Sequence, residues 1–110
     1  MRFLIKAIIP TDRGNELLGS GRFAPTMQAI LAELKPENAY FALEDGCRTG
    51  YFFVNIDDPS EIPGKCEPLF MAFNAKLEVS PCMVPEDLGK AGADIERAGK
   101  AYFRQPAGVH

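Results

Sequence analysis

The fold of this chain turns on the run Ala39-Tyr40-Phe41-Ala42-Leu43-Glu44-Asp45-Gly46-Cys47-Arg48-Thr49-Gly50-Tyr51-Phe52-Phe53-Val54-Asn55-Ile56. Asp-Gly at its centre supplies the two positive φ angles of a type I′ turn, so 39–44 and 47–56 read as the two strands of a tight hairpin. A two-residue turn also sets the register. Glu44 stands opposite Cys47, Ala42 opposite Thr49 and Tyr40 opposite Tyr51. Because side chains alternate, Phe41, Leu43, Phe52, Val54 and Ile56 share one face, and this oilier set is expected to meet the helices. Tyr40, Ala42, Glu44, Thr49, Tyr51, Phe53 and Asn55 take the other face.

Before the hairpin, 2–9 is rich in Ile, Phe and Leu and stops at Pro10, which marks a strand end. From 14 to 35 the periodicity becomes helical, with Met27, Ile30, Leu31 and Leu34 on one side; Gly19-Ser20-Gly21 divides a first turn from the main helix and Pro36 closes it. After the hairpin, Asp57-Asp58-Pro59 caps a second helical stretch carrying Cys66, Leu69, Phe70 and Phe73, which Pro63-Gly64 and Pro68 are expected to break or shorten. Residues 75–83 alternate Leu77 and Val79 against Lys76, Glu78 and Ser80, a fourth strand. A last helix is expected from Pro85 to about Arg104, with Leu88, Ala91, Ile95, Ala98 and Tyr102 on its inner face. The order β-α-β-β-α-β plus a C-terminal helix is the α+β, ferredoxin-like split βαβ arrangement, a four-stranded antiparallel sheet with its helices on one face. Residues 1–105 read as a single domain and 106–110 as a tail.

Composition bounds the partners. In 110 residues, 46% are hydrophobic and 25% charged, which is ordinary globular usage, and the formal charge of −3 offers no basic field for nucleic acid or an anionic membrane. The opening apolar stretch carries Lys6 and ends at Pro10, far short of the roughly 20 residues of a membrane span and without the pattern of a secretory signal. Three cysteines, Cys47, Cys66 and Cys82, form no C-x-x-C pair, which argues against a disulfide framework or a zinc site and fits a reducing cytoplasm. The single histidine is His110 in the tail. No motif calls for a metal or a cofactor.

The face turned away from the helices holds Leu4, Lys6 and Ile8 from the first strand, the tyrosine set of the hairpin, and Lys76, Glu78 and Ser80 from the fourth. Monomers rarely expose contiguous apolar patches above a few hundred Å², and aromatic residues bury about 150–250 Å² each. Leu4, Ile8, Tyr40, Tyr51 and Phe53 together exceed that limit, so a second copy is the expected cover, through an isologous contact. Within it, Lys6 lies beside Glu78 on one side and the Tyr51 hydroxyl on the other. Lys6, Tyr40, Glu44, Tyr51 and Glu78 are therefore candidates to line a small-molecule cavity between subunits, or else to form a salt-bridged interface with no cavity. Two further candidates lie elsewhere. Arg48, beside the turn, has the planar fork that binds a carboxylate, or it pairs with Asp45 at the surface. Glu67, before Pro68, reads as a carboxylate at the start of a helical turn, either a general base or a complement to the helix dipole.

With these residues in view, the chain resembles the dimeric α/β-barrel superfamily, which includes muconolactone isomerases and antibiotic-biosynthesis-type monooxygenase domains. Tyr40-Phe41 with Glu44-Asp45-Gly46-Cys47-Arg48, Glu67-Pro68-Leu69-Phe70 with Phe73-Asn74-Ala75, and Pro81-Cys82-Met83-Val84-Pro85-Glu86-Asp87-Leu88 resemble a set of short bacterial proteins of unassigned function. The resemblance implies a homodimer through the open sheet face; it transfers no catalytic residue. Two functions follow as expectations. One is a small-molecule-binding homodimer, including a cofactor-independent isomerase- or monooxygenase-like enzyme acting on a small hydrophobic substrate. The other is a non-enzymatic accessory protein whose sheet face is only a dimer interface.

Overall fold

The computed structural model describes residues 1–104. Strand β1 (Arg2–Ile8) leads through α1 (Thr11–Gly19) and α2 (Phe23–Leu34) to the hairpin β2 (Asn38–Glu44) and β3 (Cys47–Asn55). A 3-10 turn (Pro59–Glu61) then opens α3 (Ile62–Phe73), followed by β4 (Lys76–Pro81) and α4 (Pro85–Tyr102). The sheet is antiparallel in the order β2-β3-β1-β4. This is the expected α+β, ferredoxin-like topology.

Local chemistry accounts for the breaks. Asp45 and Gly46 take φ of 50° and 76°, and β2 and β3 pair with Glu44 opposite Cys47 and Tyr40 opposite Tyr51. Helices α2 and α3 each end on a left-handed residue, Lys35 and Asn74, the second a residue that tolerates this conformation well. Ahead of α3, the Asp58 carboxylate accepts from the Ser60 amide at 2.9 Å, and Glu61 accepts in return from the Asp58 amide at 2.9 Å. That reciprocal box occupies amides that would otherwise lack a partner.

The core lies between the sheet and α1, α2 and α3. Ile5 and Ala7 of β1, with Phe52 and Val54 of β3, are buried against Leu17, Met27, Ile30, Leu34, Leu69 and Phe73. Burying a side chain of the Leu, Ile or Phe class contributes about 1.5–3 kcal/mol, so this layer fixes which face of the sheet is inside. Gly50 belongs to it: a Cβ there would sit 2.5 Å from the Phe52 ring, which lies across the bare glycine.

Three expectations need correcting. Phe41 and Leu43 point to the helical side, but no helix covers β2, and they remain 58% and 71% exposed. The α3 helix is not broken: twelve residues run through Pro68, with the fully buried Leu69 and Phe73 holding the segment beyond the bond that proline cannot make. Helix α4 forms where expected, yet none of its residues is buried, so Leu88, Ile95 and Tyr102 have no inner side to face. The tail, with His110, lies outside the described residues. Among the described residues no helix is long and apolar enough to cross a membrane.

Candidate functional site on the open sheet face

Strand β1 runs between β3 and β4, and its register places Lys6 opposite Tyr51 on one side and Glu78 on the other. These side chains rise from the face opposite the helices. The Lys6 Nζ lies 2.6 Å from Glu78 Oε2 and 3.4 Å from Glu44 Oε1, and the Tyr51 hydroxyl donates to the same Glu44 oxygen at 2.8 Å. Four residues from four strands thus form one network. Sequence reasoning brought Lys6 to Glu78 correctly but aimed Lys6 at the Tyr51 hydroxyl; Glu44 intervenes, reaching back along β2 to take both the proton donor and the cation.

The network perturbs its members in consistent directions. The Tyr51 hydroxyl bond, helped by Lys6, holds the Glu44 carboxyl below its ordinary 4.5. The bond to Glu78 raises the Lys6 ammonium above 10.5, with Glu44 adding to it against partial desolvation. Donation to Glu44 lifts the Tyr51 phenol above 10.0. At neutral pH the cluster is therefore one ammonium, two carboxylates and a neutral phenol, with a net charge of minus one. Its exposure is graded: the Lys6 side chain is 22% accessible, Glu44 35% and Glu78 54%. Exposed pairs of this kind contribute little to stability in a lone subunit. Their electrostatics strengthen when a second surface excludes water.

Around the network the face is apolar. Leu4 and Ile8 of β1 and Phe53 of β3 are half-buried, and Tyr40 is 59% exposed, its ring edge-on to Phe53 at 6.3 Å between centroids. Thr49, beside Ile8 and Ala42, is buried and satisfies its hydroxyl on the Cys47 carbonyl at 3.0 Å. Toward the other end of the face, Arg2, Asn38, Tyr40, Phe53, Cys82 and Met83 line a depression of about 390 Å³.

The two remaining candidates lie apart from this site. Arg48 points to the helical side, where its guanidinium donates to Asn15 Oδ1 at 2.9 Å and packs on Gly14 of α1. Its partner is Asn15, not Asp45, because strand alternation turns residue 48 away from the turn's solvent side. Glu67 is exposed in the middle of α3, not at a helix start, since the helix already begins at Ile62. Its charge, after burial, raises the neighbouring Cys66 thiol above its ordinary 9.0, which leaves that thiol protonated and unreactive. Asp58 caps the 3-10 turn, the Asp57 carboxylate accepts from the Asn55 amide group at 3.0 Å, and among the described residues no cluster of metal-ligating side chains occurs.

No protein-family model and no curated protein matches the sequence. Among solved structures the chain is similar to 5-chloro-2-hydroxyhydroquinone dehydrochlorinase (TftG) from Burkholderia phenoliruptrix AC1100, in its complex with 2,5-dihydroxybenzoquinone. The two share a TM-score of 0.59 at 16% identity, over 79% of this chain and 98% of that one. A likeness at this identity establishes the ferredoxin-like α+β fold.

Proposed function

We propose that the protein is a cytoplasmic homodimer that binds a small, neutral, hydroxylated aromatic molecule between two open sheet faces, with Lys6, Glu44, Tyr51 and Glu78 as the polar end of the site. The observation that carries this reading is the network itself: two carboxylates around one ammonium, set in a half-apolar face. An acceptor-rich group of net charge minus one suits a ligand that donates hydroxyl hydrogens and disfavours an anion. Glu78, the most accessible member, is the carboxylate placed to accept a phenolic hydrogen. Tyr40 and Phe53 offer ring faces for stacking. The structural neighbour's complex with a dihydroxybenzoquinone supports a small oxygenated ring as the ligand class on this fold. A proton transfer on such a ring, with Glu78 receiving the hydrogen, is the chemistry the residues permit without a cofactor.

The reading is tested by thermal melting with a panel of phenols, hydroquinones and aryl carboxylates, since any ligand preferring the folded state raises the melting point by mass action. Neutral phenols are expected to shift it and aryl carboxylates not. Lys6→Met is expected to abolish the response while the dimer survives. A panel without effect, or a Lys6→Met dimer that falls apart, would favour a salt-bridged interface with no ligand.

A further inference from the structure

Helix α4 has a face built for contact and nothing to touch. It has 18 residues, none buried, and the molecule reaches 64 Å along its longest axis against 35 Å and 21 Å across. At 100° per residue, Leu88, Ile95 and Tyr102 recur at seven-residue intervals on one side, with the small pairs Ala91-Gly92 and Ala98-Gly99 between them and the charged residues elsewhere. Leu88, Ile95 and Tyr102 are 51%, 57% and 78% exposed. Gly89, Gly92 and Gly99 interrupt the helix, each costing about 1 kcal/mol relative to alanine, and a Cβ at any of them would meet nothing within 4 Å. In proteins most helical stability comes from packing an amphipathic face rather than from propensity. It needs a bed.

The bed it fits lies at the other edge of the sheet. The helical side of β2 is bare, and Ile9, Phe23, Phe41, Leu43 and Arg48 line a groove of about 410 Å³ there. The helix leaves β4, and the order β2-β3-β1-β4 puts these two strands at opposite edges, about 14 Å apart at the usual strand spacing. The chain's own α4 leaves Phe41 and Leu43 uncovered. We propose that α4 docks into the β2 groove of a second copy, and that the second copy's α4 docks in return.

Each chain carries one helix without a bed and one bed without a helix, so a two-fold pairing satisfies both surfaces twice. When two open faces meet, β4 of one subunit can run beside β2 of the other, and α4 continues over the outer side of that strand. Asp87 and Asp94 border the apolar stripe and Arg48 stands at the groove. In the single chain the Asp87 carboxylate accepts from the Val84 amide, Asp94 pairs with Arg97 and Arg48 donates to Asn15, so a seated helix brings acidic residues to a basic one by exchanging these exposed partners. The inference rests on the face-to-face dimer proposed above and adds the exchange of arms to it.

Disulfide trapping tests it in the full-length chain with Cys47→Ser and Cys82→Ser, the buried Cys66 being retained. Leu43→Cys together with Ile95→Cys is expected to give a covalent dimer on a non-reducing gel. Leu43→Cys with Lys90→Cys, whose thiol leaves the helix away from the stripe, is expected to give none. Ile95→Asp is expected to lose the circular-dichroism contribution of α4 while the core retains its melting transition. A wild-type dimer by sedimentation whose 43–95 pair does not link would overturn the docking and leave the sheet-face dimer standing. A 43–95 link confined to the monomer band would show the helix folding onto its own chain, which also overturns it. A wild-type protein that sediments as a single subunit would remove both readings.

Discussion

Tyr51 and Glu44 are coupled through one hydrogen bond, and that bond makes the site's pH response specific. The folded state raises Tyr51 above 10.0, so its contribution is complete below that value and is lost as pH rises through the raised one. Glu44 is lowered below 4.5, so its contribution is complete above that value and is lost as pH falls through the lowered one. By ultraviolet absorbance, Tyr51 is expected to ionise at higher pH than an ordinary tyrosine, and Glu44→Gln is expected to lower that late step; a step that the substitution leaves in place would show that the bond is absent in solution. Gly50 offers a second residue-level test. Gly50→Ala forces the Phe52 ring out of the core layer, and an overpacked core loses about 1–3 kcal/mol in urea denaturation. Neither the Tyr51–Glu44 bond nor the Gly50 contact was legible in the sequence. Register brought Lys6 beside Glu78 because those are backbone neighbours, whereas Glu44, opposite Cys47, reaches Tyr51 across four residues of strand by its rotamer, which alternation does not encode.

The elements were legible where their causes are local. Asp45-Gly46 determines the hairpin and its register, and Asp57-Asp58-Pro59 determines the start of the third helical segment, because turn and cap chemistry act within a few residues. Asp58→Ala is expected to cost about 1 kcal/mol, the usual effect of losing such a cap. The Ser60 amide holds the Asp58 carboxyl below 3.8, so the wild type's advantage should persist at neutral pH and fade as pH drops through that lowered value. Equal urea midpoints for variant and wild type at pH 7 would show that the cap carries no stability. Coverage was not legible. Period-two alternation assigns Phe41 and Leu43 to the helical side, and a heptad of apolar residues gives α4 a face, but neither pattern states whether another element lies there. That is decided by the sheet order, which strands β2 at one edge and sends α4 off the other.

At the scale of the whole molecule, the sheet has two differently finished sides. One is sealed by α1, α2 and α3 over Ile5, Phe52, Val54, Leu69 and Phe73. The other leaves Leu4, Ile8, Tyr40, Tyr51 and Phe53 around a charged network that water would otherwise screen. Pairing two such faces removes the apolar area from water and encloses the network, which both the ligand site and the exchanged helices require. Analytical ultracentrifugation of the unmodified protein at micromolar concentration tests this most directly. A species of twice the chain mass is expected, with Leu4→Asp shifting it toward the single subunit while circular dichroism retains the fold. A well-folded wild-type protein of single-chain mass across that range would contradict it.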